Sequence, residues 1–466
     1  MNAAGSSGTH SSPTLRSDLR LAWQLTRGSD RREWWRITLT ATGAALATGF
    51  ALAAVSLVSL RGNHYSVSVG EGLLNQPGTR AGVIVSLLLL LVPLLGFLGQ
   101  CARIGAVHRD RRLAVLRLAG ATPWQVRRIA ALETGLACLL GSAVATVFSV
   151  LLLLRLWGHP AVLTWVGVVL VAAGVPALGA AVGALALRRV VASPLGWVRR
   201  SGPRAGRGPG LLFLAGLLLL AVVALLTVAT TTTGAPYRPG PPPPLIVMGA
   251  IGTVGAGAVG LSGATAKLTG RLLAARARSA ATLIAAERLR DDPWAAARTH
   301  AAVLLVTIVG TGFLGVRQML LEVLDSQRHL MENRSFYTTG LDLTAVAILV
   351  ALAITLSGLA VGTAESLATR RRGLAAQAAA GVPRAVLGRA LLLETALPLA
   401  PSVLLAGTGG AVIGFGYAML ADGGGWSLPW TSLLMPPAVY AACLLASATA
   451  LPLLGRTIHP AELRYV

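Results

Sequence analysis

Ala81 to Cys101 and Leu211 to Val228 each run without a single charged side chain. Stretches of this kind, about 20 residues long, are what a helix needs to cross the hydrocarbon of a bilayer. The bilayer interior offers no water, so such a segment must satisfy its own backbone groups as a helix. Ten apolar runs are legible, near residues 37–60, 81–101, 129–154, 161–187, 211–230, 245–266, 299–320, 341–364, 390–417 and 431–455. The expected fold class is therefore all-α: a polytopic membrane protein of about ten transmembrane helices, in two repeated four-helix units plus two linking helices. With 54% hydrophobic and 12% charged residues, the 466-residue chain is too apolar for an ordinary soluble domain.

A formal charge of +23 raises the question of nucleic acid. Its distribution answers otherwise. All but one of the 40 basic residues are arginine, and most sit in short segments between apolar runs. That pattern sets membrane topology, and no nucleic-acid partner is expected. With both termini cytoplasmic, the inner segments collect 33 basic residues and the outer ones 7, against 11 and 6 acids. The positive-inside rule then gives a multi-pass protein of the cell membrane with both termini in the cytoplasm. The outer segments, residues 61–80, 155–160, 231–244, 321–340 and 418–430, are all short, and none is long enough to bury a core of its own. The third holds Pro236, Pro239 and Pro241 to Pro244, a stiff extended spacer.

The first 36 residues open Ser/Gly-rich, and Leu15, Leu19, Ala22 and Leu25 then recur at helical spacing among Arg16, Arg20 and Arg27. An interfacial amphipathic helix with Trp34 and Trp35 at the boundary fits, as does an unstructured basic tail. A signal peptide is not expected, because the first apolar run begins only after these polar residues. Cys101, Cys138 and Cys443 fall in or beside apolar runs without metal spacing and read as packing residues.

The basic segment between the second and third runs returns 261 residues later in weaker form. Leu113, Ala114, Ala119, Gly120, Glu133 and Thr134 fall on Leu374, Ala375, Ala380, Gly381, Glu394 and Thr395. Residues 279–298 also echo the N-terminal segment, and 188–210 and 456–466 each close a half with a proline ahead of an arginine. The division this implies is a cytoplasmic segment 1–36, a first four-span unit 37–210, two linking helices 211–268 and a second unit 269–466.

In the first copy, Leu113-Ala114-Val115-Leu116-Arg117-Leu118-Ala119-Gly120-Ala121-Thr122 is followed by Gln125-Val126-Arg127-Arg128 and a long apolar helix. The chain ends near Pro460-Ala461-Glu462-Leu463-Arg464. These features resemble the FtsX-like permease family, membrane subunits of ABC transporters, and the two units on ten spans resemble its peptide-antibiotic export and resistance permeases. The resemblance covers both halves, more closely the first. It departs in three places. Arg112 and Gly373 stand where the family often has a glutamate; Ala376, Ala378 and Ala379 replace Val115, Arg117 and Leu118; and no large outer domain is present in these residues.

The resemblance implies a permease subunit coupling ATP hydrolysis by a separate ABC ATPase, in two copies, to export or extraction of a hydrophobic or amphipathic substrate. ATP would be bound by that partner, with no cofactor and no catalytic or metal site in this chain. The coupling residues would be Arg111, Arg112, Leu113, Leu116, Arg117, Gly120, Thr122 and Pro123 in the first loop, and Arg372, Leu374, Gly381 and Pro383 in the second. Physically, a short helix with an apolar side and an arginine side can lie on a membrane or enter a partner's groove. Gly120 or Gly381 would end it. A basic loop that only sets topology is the plainer reading.

Glu133 and Glu394 lie near the inner ends of their spans, where anchoring to arginines such as Arg128 and Arg389, a substrate or proton role, and snorkelling to water are all open. The only lysine, Lys267, is followed by Leu268, so no P-loop is present. A lever acting on an outer-face partner without transport is an alternative. A proton-coupled transporter is a further one, disfavoured because no carboxylate lies mid-span. The outer aromatics Tyr65, Trp157, Tyr237, Trp426 and Trp430 suit the headgroup level, either as anchors or beside a substrate taken from the bilayer, and membrane lipids are expected partners.

Overall fold

The computed structural model describes residues 31–59, 120–157, 162–186, 244–326, 334–422 and 430–457, with Leu118 and scattered helical positions between 83 and 101. Every regular element among them is a helix. The span expected at 211–230, most of 81–101, and the segment Leu15 to Leu25 lie outside these residues. Seven helical stretches are long and apolar enough to cross a membrane: Ile37–Val58, Trp124–Arg155, Val162–Ala181, Thr299–Asp325, Arg334–Thr369, Arg384–Gly416 and Trp430–Gly455. Each coincides with an apolar run read from the sequence. The protein is an all-α, multi-pass membrane protein.

Two compact units divide the chain, Met1–Ser56 with Cys101–Arg199 and Leu57–Gln100 with Arg200–Val466. The first contains α1 (Arg31–Ser59), α2 (Pro123–Trp157) and α3 (Val162–Ala186). Helices α2 and α3 pack together, and the Ser142 hydroxyl donates across them to the Ala172 carbonyl at 3.3 Å. Val144, Phe148 and Leu151 on α2 and Val162, Val169 and Leu170 on α3 remain exposed, as positions facing lipid tails do.

The second unit contains α4 (Pro244–Arg276), α5 (Ala280–Asp291), α6 (Pro293–Ser326), α7 (Arg334–Thr369), α8 (Arg371–Ala379), α9 (Arg384–Asp422), α10 (Trp430–Ala448) and α11 (Leu451–Thr457). Half of the apolar window of α6 and of α9 is buried, against 22% for α7, so α6 and α9 form the centre. Their core joins Val303, Leu304 and Ile308 to Leu399, Val403 and Ala406, with Ala258 from α4, Leu359 from α7 and Val439 from α10. Helix α4 thus packs inside the second unit. It is not among the seven candidate spans, although it carries no charge from Pro244 to Ala266.

Helices α6 and α9 meet backbone to backbone. A Cβ on Gly312 would lie 3.0 Å from the Gly410 carbonyl oxygen, one on Gly410 would strike the Ile308 carbonyl, and one on Gly414 the Gly312 carbonyl. Small residues at a crossing let membrane helices gain close contact where no hydrophobic force drives them together. Gly410→Val is expected to cost about 1–3 kcal/mol by overpacking. Thermal unfolding of the purified protein should show a lowered midpoint, and an unchanged midpoint would contradict this crossing.

The ends of the unit differ in chemistry. At one end Leu367, Leu374, Leu387, Leu391, Ala450 and Leu454 gather from α7, α8, α9, α11 and the turn before α11. At the other, Arg317 pairs with Asp342 at 2.9 Å, Arg334 pairs with Asp325, and the Thr431 hydroxyl donates to Gln318 Oε1 at 3.0 Å. Successive spans therefore alternate in direction, with the loops expected inside at the first end and those expected outside at the second. Two of the arginines at the second end are thus paired with carboxylates, and Glu322 accepts from the Gln318 amide at 3.1 Å.

Candidate functional site

The loop between α7 and α9 is the second copy of the repeated segment. Its helix α8 reads Arg-Arg-Gly-Leu-Ala-Ala-Gln-Ala-Ala, and Leu374 and Ala375 are buried while Arg372, Gly373, Ala376 and Ala379 are exposed. Leu374 sits in the cluster with Leu367, Leu387, Leu391 and Leu454, and Ala378 and Val382 pack against it. The apolar side of the loop helix is thus spent on its own bundle. What remains open is the side of Arg372, Gly373, Ala376, Ala379 and the turn that follows.

That turn is a Schellman stop. Gly381 has φ +90°, its N–H donates to the Ala378 carbonyl at 3.0 Å, and the Val382 N–H reaches back to the Gln377 carbonyl at 3.1 Å. A residue with a Cβ is strained at this φ, which explains why glycine stands there. The Pro383 carbonyl then accepts from Val386 and Leu387 and opens α9. Two helices are joined at a fixed angle by four residues, Ala380 to Pro383.

In the first copy Gly120 has φ +96°, the same left-handed turn. Thr122 is the N-cap of α2: its Oγ1 accepts from the Gln125 N–H at 3.3 Å while its own N–H donates to Gln125 Oε1 at 2.7 Å. Pro123 occupies the first helical position, where its missing N–H costs nothing. Thr122, Pro123 and Gln125 therefore hold the start of the span. The T-x-x-Q spacing was the sequence signal for this cap. Arg111, Arg112, Leu113, Leu116 and Arg117 lie outside the described residues.

Glu394, on the first turns of α9, is the electrostatic centre of the second copy. Its carboxylate accepts from Arg370 at 2.8 Å and from Arg288 at 3.5 Å. Arg370 lies in the turn before α8, and Arg288 on α5. Helix α5 is set by a Ser279–Thr282 capping box and packs Ala281 and Ala285 against Ala390 of α9. The Arg288 and Glu394 side chains are 14% and 19% exposed, which shields the pair from water. Burial pulls the Arg288 guanidinium below its ordinary range, the Glu394 charge pushes it back up, and Arg370 adds to the fall.

Arg389, a partner suggested by proximity in sequence, is exposed and forms no ion pair with a described carboxylate. Five residues along a helix turn it well away from Glu394. Glu133, at the equivalent place on α2, is 7% exposed, beside Thr134 at 5%. No His, Cys, Asp or Glu cluster able to hold a metal occurs among the described residues.

Residues 83–195 match the model of the FtsX-like permease C-terminal family. Over this segment the chain is similar to FtsX-like permeases. The match contains the first repeated loop with Gly120, the Thr122 cap and Glu133; the second repeat lies beyond it. No curated protein and no solved structure matches the chain. At the level of the family, FtsX-like permeases are membrane permeases of the ABC-transporter type, generally non-enzymatic and typically partnered with an ABC ATPase.

Proposed function

We propose that this chain is an FtsX-like permease that couples hydrolysis by a separate ABC ATPase, bound in two copies, to export or extraction of a lipid or amphipathic peptide. The observation that supports it most is the stiff junction α7–α8–α9, in which one short helix is clamped to the ends of two spans. A push on the open side of α8 would pass into α9, one of the two central helices of its unit, without being absorbed by a soft loop. Arg372, Ala376, Ala379 and the Gly381–Pro383 turn would receive the ATPase, while Leu374 would hold the lever in place. The arginine-rich end is assigned to the cytoplasm by the positive-inside rule, with both termini there.

The substrate class rests on two features. Arg317 and Arg334 at the opposite end are taken by Asp342 and Asp325, and α2 and α3 present broad apolar faces, so an amphipathic molecule held in the bilayer suits this chain better than a hydrophilic solute. Co-expressed with its ATPase subunit and placed in nanodiscs, the complex should show hydrolysis stimulated by amphipathic peptides or lipids. Saturable stimulation by sugars, amino acids or metal ions alone would overturn the substrate reading while leaving the ABC coupling intact.

A further inference from the structure

We propose that the end of α4, beside α5, is a binding site for anionic phospholipid headgroups. At about 1.5 Å per residue, the charge-free part of α4, Pro244 to Ala266, already exceeds the hydrocarbon thickness of about 30 Å. The remaining turns, Lys267 to Arg276, must therefore stand at the headgroup level on the arginine-rich side. Here Ala266 and Gly270 are buried, and a Cβ on Gly270 would lie 3.0 Å from the Ala286 carbonyl oxygen of α5. Lys267, Leu268, Arg271, Leu272 and Arg276 are all exposed, and Arg278 follows in the turn.

Two properties distinguish this surface from a basic loop that only sets topology. The first is that its cations are unbalanced. No acid occurs from Lys267 to Arg278, and none of Lys267, Arg271, Arg276 and Arg278 forms an ion pair with a described carboxylate. On α5, Glu287 is taken by Arg290 at 2.8 Å, and Asp291 forms no ion pair with any of these four cations. The second is the apolar component. Leu268 and Leu272 are 56% and 50% exposed, and Leu283 on α5 is 46% exposed. Spacing of four places Lys267 and Arg271 in one row, directly beside the row of Leu268 and Leu272. A headgroup phosphate can meet the cations while the upper acyl carbons cover the leucines. A purely polar acidic partner would leave those leucines wet.

The test uses the full chain in detergent with equal phosphatidylglycerol and phosphatidylcholine, and counts retained lipids by native mass spectrometry. Wild type should retain phosphatidylglycerol in preference, and K267Q/R271Q/R276Q/R278Q should lower that preference roughly tenfold. L268S/L272S should weaken retention of both lipids at an unchanged melting temperature. Neutralising the exposed Arg384 and Arg389 at the same end should change neither. Equal losses from that control pair would reduce the effect to general charge and overturn the site. So would a quadruple variant that keeps its lipid but loses its ATPase subunit, which would assign the surface to an acidic protein partner.

Discussion

Gly381→Pro should leave the permease inserted and purifiable but remove its stimulation of the ATPase. Proline requires φ near −65°, whereas Gly381 stands at φ +90° with its N–H bonded to the Ala378 carbonyl. Both the bond and the turn are lost, so α8 can no longer end over Leu387 and Leu391 at its present angle. The spans themselves keep every contact of the core around Ile308 and Val403, which lies elsewhere in the unit. The expected result is a fall in coupled hydrolysis of tenfold or more, about 1.4 kcal/mol in coupling per tenfold, with little change in the melting temperature. Gly381→Ala, strained at this φ but still able to donate, should fall between the two. Coupled hydrolysis at the wild-type level in Gly381→Pro would end the lever reading of α8.

Glu394→Gln is expected to destabilise the same end of the molecule. It removes the carboxylate that Arg288 and Arg370 share and leaves the two guanidiniums to repel each other. Taking one partner from a fully buried ion pair costs about 3–5 kcal/mol. Arg370 is 36% exposed, so solvent returns part of that, and about 2 kcal/mol is the expected loss. A double change, Arg288→Gln with Glu394→Gln, should recover part of it, because the remaining Arg370 reaches water. Melting temperatures of the two single variants and the double variant form the cycle that checks this. Strict additivity, or a Glu394→Gln protein that melts like wild type, would show that the junction does not hold α8.

Much of this architecture was legible before any coordinate. Charge-free runs such as Val162 to Ala181 declare a span because hydrocarbon leaves the backbone no other partner. The stops at Gly120 and Gly381 were equally readable, since glycine after a helical run and before a proline marks a left-handed cap. The Thr122–Gln125 box was visible as a spacing; Thr122, read first as a coupling residue, is also the cap of the span. All of these are local properties, decided within one or two turns of chain.

Tertiary structure decided the rest. The sequence set Leu374 on the apolar side of a short helix, but whether that side met a partner or its own bundle depended on where α9 and α11 arrived. They arrive beneath it, and the side is filled. Glu394 could have taken any of several arginines in this arginine-rich chain; the pair it takes, 24 and 106 residues away, exists because α5 lies across the start of α9. The closeness of Gly312 to Gly410 likewise follows from the crossing of α6 and α9. Periodicity along one helix states which face is apolar or charged. Which distant face meets it is fixed only when all the helices have packed.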